Sequence, residues 1–314
     1  MISAGRMAGE HIDGEAKLKD WATMDDFSRI GVVGAGFMGS GIAESAAAAR
    51  IEVTVFEPDQ APLDRSRKSL EASVAKAASR GKLSRDDADA LIGRVHYTRT
   101  FEELDDVDCV IEAVTEDPRV KGKLFAQLDR ELPGARFLAS NTSSIPVAEL
   151  GSHTQRPERV LGLHFFSPVP VMALVEVVVA LDTSEQTVAA AEEFVGELGK
   201  RAIRTKDRSG FIVNMLLVPY LMAAVRMYEE GFASREDIDE GMRLGAGHPM
   251  GPLTLCDFIG LDVLYAVCDS LYEEFKQDEY APPPLMKRMV AAGRLGRKSG
   301  RGFYEYPRAV AAAR

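Results

Sequence analysis

Over the first two thirds of the chain, short apolar runs alternate with charged, helix-forming stretches. Ile30-Gly31-Val32-Val33 is a β-prone run that ends in glycines, and residues 51–56 form a second. The Ala-rich stretch 42–49 between them completes a βαβ unit. Charged helical patterning covers 61–80 and then 84–91, where Ser84-Arg85-Asp86-Asp87 reads as an N-cap with acids in the first turn. Residues 107–114, 136–139, 159–166 and 173–180 are apolar enough for burial on both faces, the habit of strands in a parallel sheet.

The pattern changes near residue 207. From there it predicts helices: one over 211–230, one capped by Ser234 with Asp237 three residues on, and one beginning at Pro252, with no β-run. The expected organisation is a polar lead-in (1–27), a Rossmann-type, doubly wound and mostly parallel α/β domain (28–206), and an all-helical domain (207–314). The joint, Lys206-Asp207-Arg208-Ser209-Gly210, is short and polar.

Composition narrows the function. With 38 Lys plus Arg against 48 Asp plus Glu, the formal charge of −10 argues against a general nucleic-acid binder. Cys109, Cys256 and Cys268 are widely spaced and fit neither a disulfide framework nor a zinc site, so no metal is expected. The most apolar stretch, 211–225, is interrupted by Asn214 and Pro219 and is too short to span a bilayer. The expected address is the cytoplasm, with no membrane partner.

Gly34-Ala35-Gly36-Phe37-Met38-Gly39 is a GxGxxG placed after a strand and opening a helix. Its glycines suit a tight turn, close approach of a pyrophosphate and helix–strand packing. Glu57 ends the second strand, where a carboxylate can bond a ribose 2′-hydroxyl and repel a 2′-phosphate. NAD is therefore expected over NADP, with Arg65 and Arg67 as the exception to test. His164 lies in an otherwise apolar run, as does Glu176 twelve residues later, and a buried carboxylate needs a partner. Such a pair would make a general base held in one tautomer. Spacing alone leaves open whether they meet or are separately satisfied core residues.

Six ordered motifs, GAGFMG, ASNTSSIP, GLHFFSPVPVMALVE, DRSGFIVN, HPMGPLTLCDFIGLD and GRKSGRGFYEY, make the chain resemble the L-3-hydroxyacyl-CoA dehydrogenase family from Arg29 to Tyr306, the short bacterial form above all. The resemblance implies an NAD enzyme that interconverts a 3-hydroxyacyl-CoA, 3-hydroxybutyryl-CoA foremost, and its 3-oxo counterpart. It implies that His164 and Glu176 are the catalytic dyad and that Ser143 and Asn214 face substrate, Ser143 also touching the cofactor. Further cofactor contacts fall on Gly34, Gly36, Phe37, Met38, Gly39, Glu57, Glu116, Lys121, Ser167 and Lys298. Coenzyme A contacts fall on Ser73 and Arg80, with Lys68, Lys76 and Lys82 supplying local positive charge. Ser167 replaces the Asn of many relatives, and Ala173 the Lys of some. A homodimer through the helical domain is also implied. The rival readings are a dehydrogenase of a free hydroxy or sugar acid and a non-catalytic NAD-binding protein.

Overall fold

The computed structural model describes residues 26–307. Residues 1–25, most of the expected lead-in, lie outside the described residues. The core itself starts before Arg29: Phe27 is buried, edge-on to Phe194 with ring centroids 5.1 Å apart, and the Arg136 guanidinium lies 4.4 Å over its ring. A large aromatic hides too much surface to stay in a solvated lead-in.

Eight strands form one sheet. They are β1 (Arg29–Val33), β2 (Glu52–Phe56), β3 (Val95–Thr98), β4 (Cys109–Glu112), β5 (Phe137–Ser140), β6 (Val160–Phe165), β7 (Leu174–Val179) and β8 (Arg201–Lys206), in the spatial order β3-β2-β1-β4-β5-β6-β7-β8. Pairing is parallel throughout except between β6 and β7. The Rossmann-type, mostly parallel sheet followed by helices is thus present. Chain order reverses between β1 and β4, which opens a crevice at the strands' C-terminal ends.

Two details differ from the sequence pattern. Residues 174–179 are buried like a parallel strand yet run antiparallel to β6, because helices cover both faces of the sheet and remove the polar alternation. Strands β3 and β8 escape an apolarity criterion. They are the sheet's two edges, and β8 carries Arg201, Arg204 and Lys206, the charged character that edge strands tolerate.

Helix α1 (Phe37–Ala48) joins β1 to β2, and α2 (Gln60–Ser79) with α3 (Arg85–Gly93) leads to β3. The others on this sheet are α4 (Pro118–Glu131), α5 (Val147–Gly151) and α6 (Glu185–Glu197). After β8 come α7 (Val213–Glu229), α8 (Arg235–Glu240), α9 (Pro252–Ile259), α10 (Leu261–Phe275) and α11 (Pro284–Ala291). They enclose a separate apolar cluster that includes Leu221, Leu253, Leu264 and Met286.

The joint between the two parts is bonded into the fold. Asp207 accepts from the N–H groups of Val147 (2.9 Å) and Ala148 (2.7 Å), and the Ser209 hydroxyl donates to the Ser144 carbonyl. Phe211 packs into the α/β core. No helix among the described residues is long and apolar enough to cross a membrane.

Candidate active site

Antiparallel register brings His164 and Glu176 together. They are directly opposed across β6 and β7, where facing Cβ atoms lie about 4.5–5.5 Å apart. The His164 Nδ1 is 2.7 Å from Glu176 Oε2. Glu176 is fully buried, and its Oε1 accepts from the N–H groups of Ile212 and Val213, each at 2.9 Å. The carboxylate thus sits at the N-terminus of α7, where both the free amides and the helix dipole favour negative charge. His164 is further confined by Phe166 and Phe211, with ring centroids 4.7 and 5.2 Å away.

Asn214 follows in the first turn of α7, directly after the amide that binds Glu176. The segment carrying Ser143 leaves β5 after Ser140, which pairs with Gly162 of the His164 strand. Ser167 stands past the end of β6, exposed, in a loop whose Val169 and Met172 carbonyls accept from the Lys200 ammonium at 2.7 and 2.8 Å.

The glycine motif turns directly into α1. At Gly34, φ is +106°, and a Cβ there would lie 2.6 Å from the Ala113 carbonyl oxygen. At Gly39 a Cβ would run into the Gly34 carbonyl oxygen. Gly36 instead faces open space and is the N-cap of α1, with no side chain bonding the helix amides. Beside it lies a cleft of about 610 Å³ lined by Gly34, Gly36, Glu57, Arg65, Ala113 and Thr115. Glu57 Oε2 accepts from the Ala35 N–H at 3.3 Å. Open backbone amides for a pyrophosphate and a carboxylate for a ribose suit NAD. Arg65 lines the same cleft, whereas Arg67 is stacked 4.9 Å over the Tyr97 ring. Phe37 is exposed at the start of α1, and Met38 is half-buried.

Glu116 and Lys121 are engaged within the protein. The Lys121 ammonium is buried, 2.6 Å from Glu112 Oε1 and 3.2 Å from Glu116 Oε2. Burial opposes the charge on Glu116, but Lys121 and the Thr142 and Ser144 hydroxyls outweigh it and hold this carboxyl below its ordinary range. Sequence reasoning missed Glu112, a completely buried acid at the end of β4. Its signal was the same as that of Glu176, a carboxylate at the end of an apolar run.

The remaining expected contacts lie farther apart in the fold. Ser73 donates to Glu44 at 2.6 Å on the α2 side, and Arg80 caps the C-terminus of α2. Lys68, Lys76, Arg80 and Lys82 are all exposed. Lys298 belongs to the helical part, where it is paired with Asp262 at 2.5 Å. Burial pushes the Cys268 thiol up to about 12 and those of Cys109 and Cys256 well above their ordinary value, which excludes them as thiolate nucleophiles.

Residues 29–208 match the family model for the 3-hydroxyacyl-CoA dehydrogenase NAD-binding domain, and 210–306 match the model for the C-terminal domain of the same family. A curated Mycobacterium tuberculosis 3-hydroxybutyryl-CoA dehydrogenase is 53% identical over 285 residues, 90% of this chain and 99% of the relative. Among solved structures, M. tuberculosis FadB2 superposes with a TM-score of 0.88 at 53% identity, covering 90% of this chain and 100% of the other. The (S)-3-hydroxybutyryl-CoA dehydrogenase PaaH1 of Ralstonia eutropha superposes with a TM-score of 0.85 at 42% identity and the same coverage.

Proposed function

Because the chain belongs to the 3-hydroxyacyl-CoA dehydrogenase family and is an NAD-dependent oxidoreductase, we propose that His164 and Glu176 form its acid/base pair, acting on (S)-3-hydroxybutyryl-CoA and acetoacetyl-CoA. The observation that carries this reading is the buried contact between His164 Nδ1 and Glu176 Oε2 at 2.7 Å. With Nδ1 occupied, Nε2 is the ring nitrogen left for a substrate hydroxyl.

When bound, NAD supplies the hydride acceptor. In the oxidative direction His164 Nε2 takes the proton of the 3-hydroxyl, and Glu176 offsets the positive charge that develops on the ring. The amides of Ile212 and Val213 fix this carboxylate before reaction, so little reorganisation is needed when charge appears. In the reductive direction the protonated imidazole returns the proton from the same nitrogen. Ser143 and Asn214 orient the hydroxyl and the thioester. Ser73, Arg80 and the exposed lysines of the α2 side meet the coenzyme A moiety, their local charge outweighing the global −10.

Consumption of NADH with acetoacetyl-CoA, compared with free acetoacetate, tests the substrate class. Turnover of the thioester alone is expected. Turnover of the free acid at a comparable kcat/KM supports the free hydroxy-acid reading instead, and no turnover of either supports the non-catalytic one. The cytoplasmic address and dimerisation belong to the same proposal, the latter through an apolar groove of about 560 Å³ lined by Ile212, Leu216, Tyr220, Pro249, Met250 and Phe258.

A further inference from the structure

Away from the dyad, dense hydrogen bonding surrounds Thr142, a residue without an assigned role. Its buried Oγ1 donates to Glu116 Oε1 and accepts from the N–H groups of Ser144 (3.2 Å) and Ile145 (2.9 Å). Glu116 Oε1 also accepts from the Ser143 N–H at 3.1 Å and the Ser144 hydroxyl at 2.9 Å. Behind Glu116 stands Lys121, and behind Lys121 stands Glu112, which also accepts from the Ser140 hydroxyl (2.7 Å) and the Val114 N–H (2.6 Å). On the upstream side, Asn141 Oδ1 accepts from the N–H of Phe165, the residue after His164, at 3.0 Å.

The chain is therefore tied on both flanks of Ser143. Upstream, Asn141 holds it to the strand that carries His164. Downstream, Thr142 and Ser144 hold it to a carboxylate braced by a buried ion pair. The Ser143 hydroxyl itself has no hydrogen-bond partner among the described residues. A serine on a loop keeps one orientation only if the backbone on either side is fixed.

We propose that Thr142 and Asn141 are positioning residues that set the Ser143 hydroxyl against the His164 strand for the reaction. The inference rests on the reading of Ser143 as a substrate-orienting group. Thr142 is suited to the task because one oxygen both donates to the brace and accepts two amides, so a single atom fixes the loop's turn. Valine has nearly the same shape and can do neither, whereas serine can do both.

The test compares Thr142→Val, Thr142→Ser, Asn141→Ala, Ser143→Ala and the double variant Ser143→Ala/Thr142→Val in the full-length protein with acetoacetyl-CoA and NADH. Each is assayed at a temperature where circular dichroism shows it folded. Thr142→Val should lower kcat roughly 10- to 100-fold, the scale of a misplacement of about 1 Å. Thr142→Ser should restore the rate. The limbs of the kcat–pH profile should stay in place at reduced height, since the dyad is untouched. If Thr142 acts through Ser143, the double variant is no slower than Ser143→Ala alone.

Multiplied losses in the double variant, or wild-type kcat in Thr142→Val, overturn the proposal while leaving the role of Ser143 intact. Wild-type kcat in Ser143→Ala defeats that underlying reading and the proposal with it. Should Thr142→Val fail to fold, Asn141→Ala decides the matter by the same readouts, and wild-type kcat there overturns the inference.

Discussion

The chemistry proposed for His164 depends on which ring nitrogen carries the proton. Glu176 accepts from two backbone amides through Oε1 and faces His164 through Oε2. In Glu176→Gln the amide oxygen can keep the two backbone bonds, but the amide nitrogen then points a donor at Nδ1. The ring is driven to the tautomer with its proton on Nε2, which cannot accept one from substrate. Both His164→Gln and Glu176→Gln should retain the fold and NADH affinity while losing roughly 10²–10⁴ in turnover. Stopped-flow kcat together with fluorescence titration of NADH checks this, and near wild-type kcat in either variant removes the dyad. Glu57 sets a second residue-scale expectation, since its carboxylate lines the cleft and would repel a 2′-phosphate bound there. Measured kcat/KM should favour NADH over NADPH, and Glu57→Ala should narrow the gap by leaving Arg65 unopposed. Clear NADPH preference in the unmodified protein would mean that Arg65 captures the phosphate.

Two polar braces give expectations at the scale of elements. Glu116 fixes the turn between β5 and α5, and its folded pKa lies below the ordinary 4.5. Its contribution is therefore complete above that ordinary value and is lost as pH falls through the lower folded one. Protection of the amides of residues 143–145, taken relative to the intrinsic exchange rate at each pH, should fall in that acid window before global unfolding, and Glu116→Gln should remove this fall. The second brace is Asp257 of α9, buried and bonded to the amides of Phe303 and Tyr304, each at 2.9 Å, and to the Tyr306 hydroxyl at 3.0 Å. Asp257→Ala strands two amides and should cost on the order of 2–4 kcal/mol, read as a lower urea midpoint. A midpoint equal to that of the unmodified protein would show that the C-terminal segment is held by its apolar contacts alone.

For the whole molecule, the expected outcome is association. Leu216 is exposed at 73% and Phe258 at 48%, and both line the apolar groove between α7 and α9. An isologous pairing of this face would cover them. Light scattering at micromolar concentration should report twice 34.2 kDa. Leu216→Glu should shift the protein toward monomer, because two copies of the charge would be buried at a symmetric contact. A fully active monomer under those conditions would mean that the groove serves the single chain.

Local pattern alone was enough for the βαβ opening, the glycine turn, the position of Glu57 at the end of β2 and the change from strands to helices. Each of these depends on neighbours within a few residues, where periodicity and turn chemistry act. The six motifs added residue roles by resemblance. Tertiary structure alone decided the rest. Whether His164 and Glu176 meet depended on β7 running antiparallel in a register that opposes them, and burial on both faces had erased the alternation that signals such a strand. That Glu176 rests on the amides of α7 required a contact spanning thirty-six residues. The Glu112–Lys121–Glu116–Thr142 brace joins the ends of β4 and β5 to the start of α4, and no spacing rule links those positions. Electrostatic satisfaction of a buried charge is a property of the space around it, so the sequence showed that Glu176 needed a partner, and carried the same signal unread at Glu112, while only the packed sheet chose the partners.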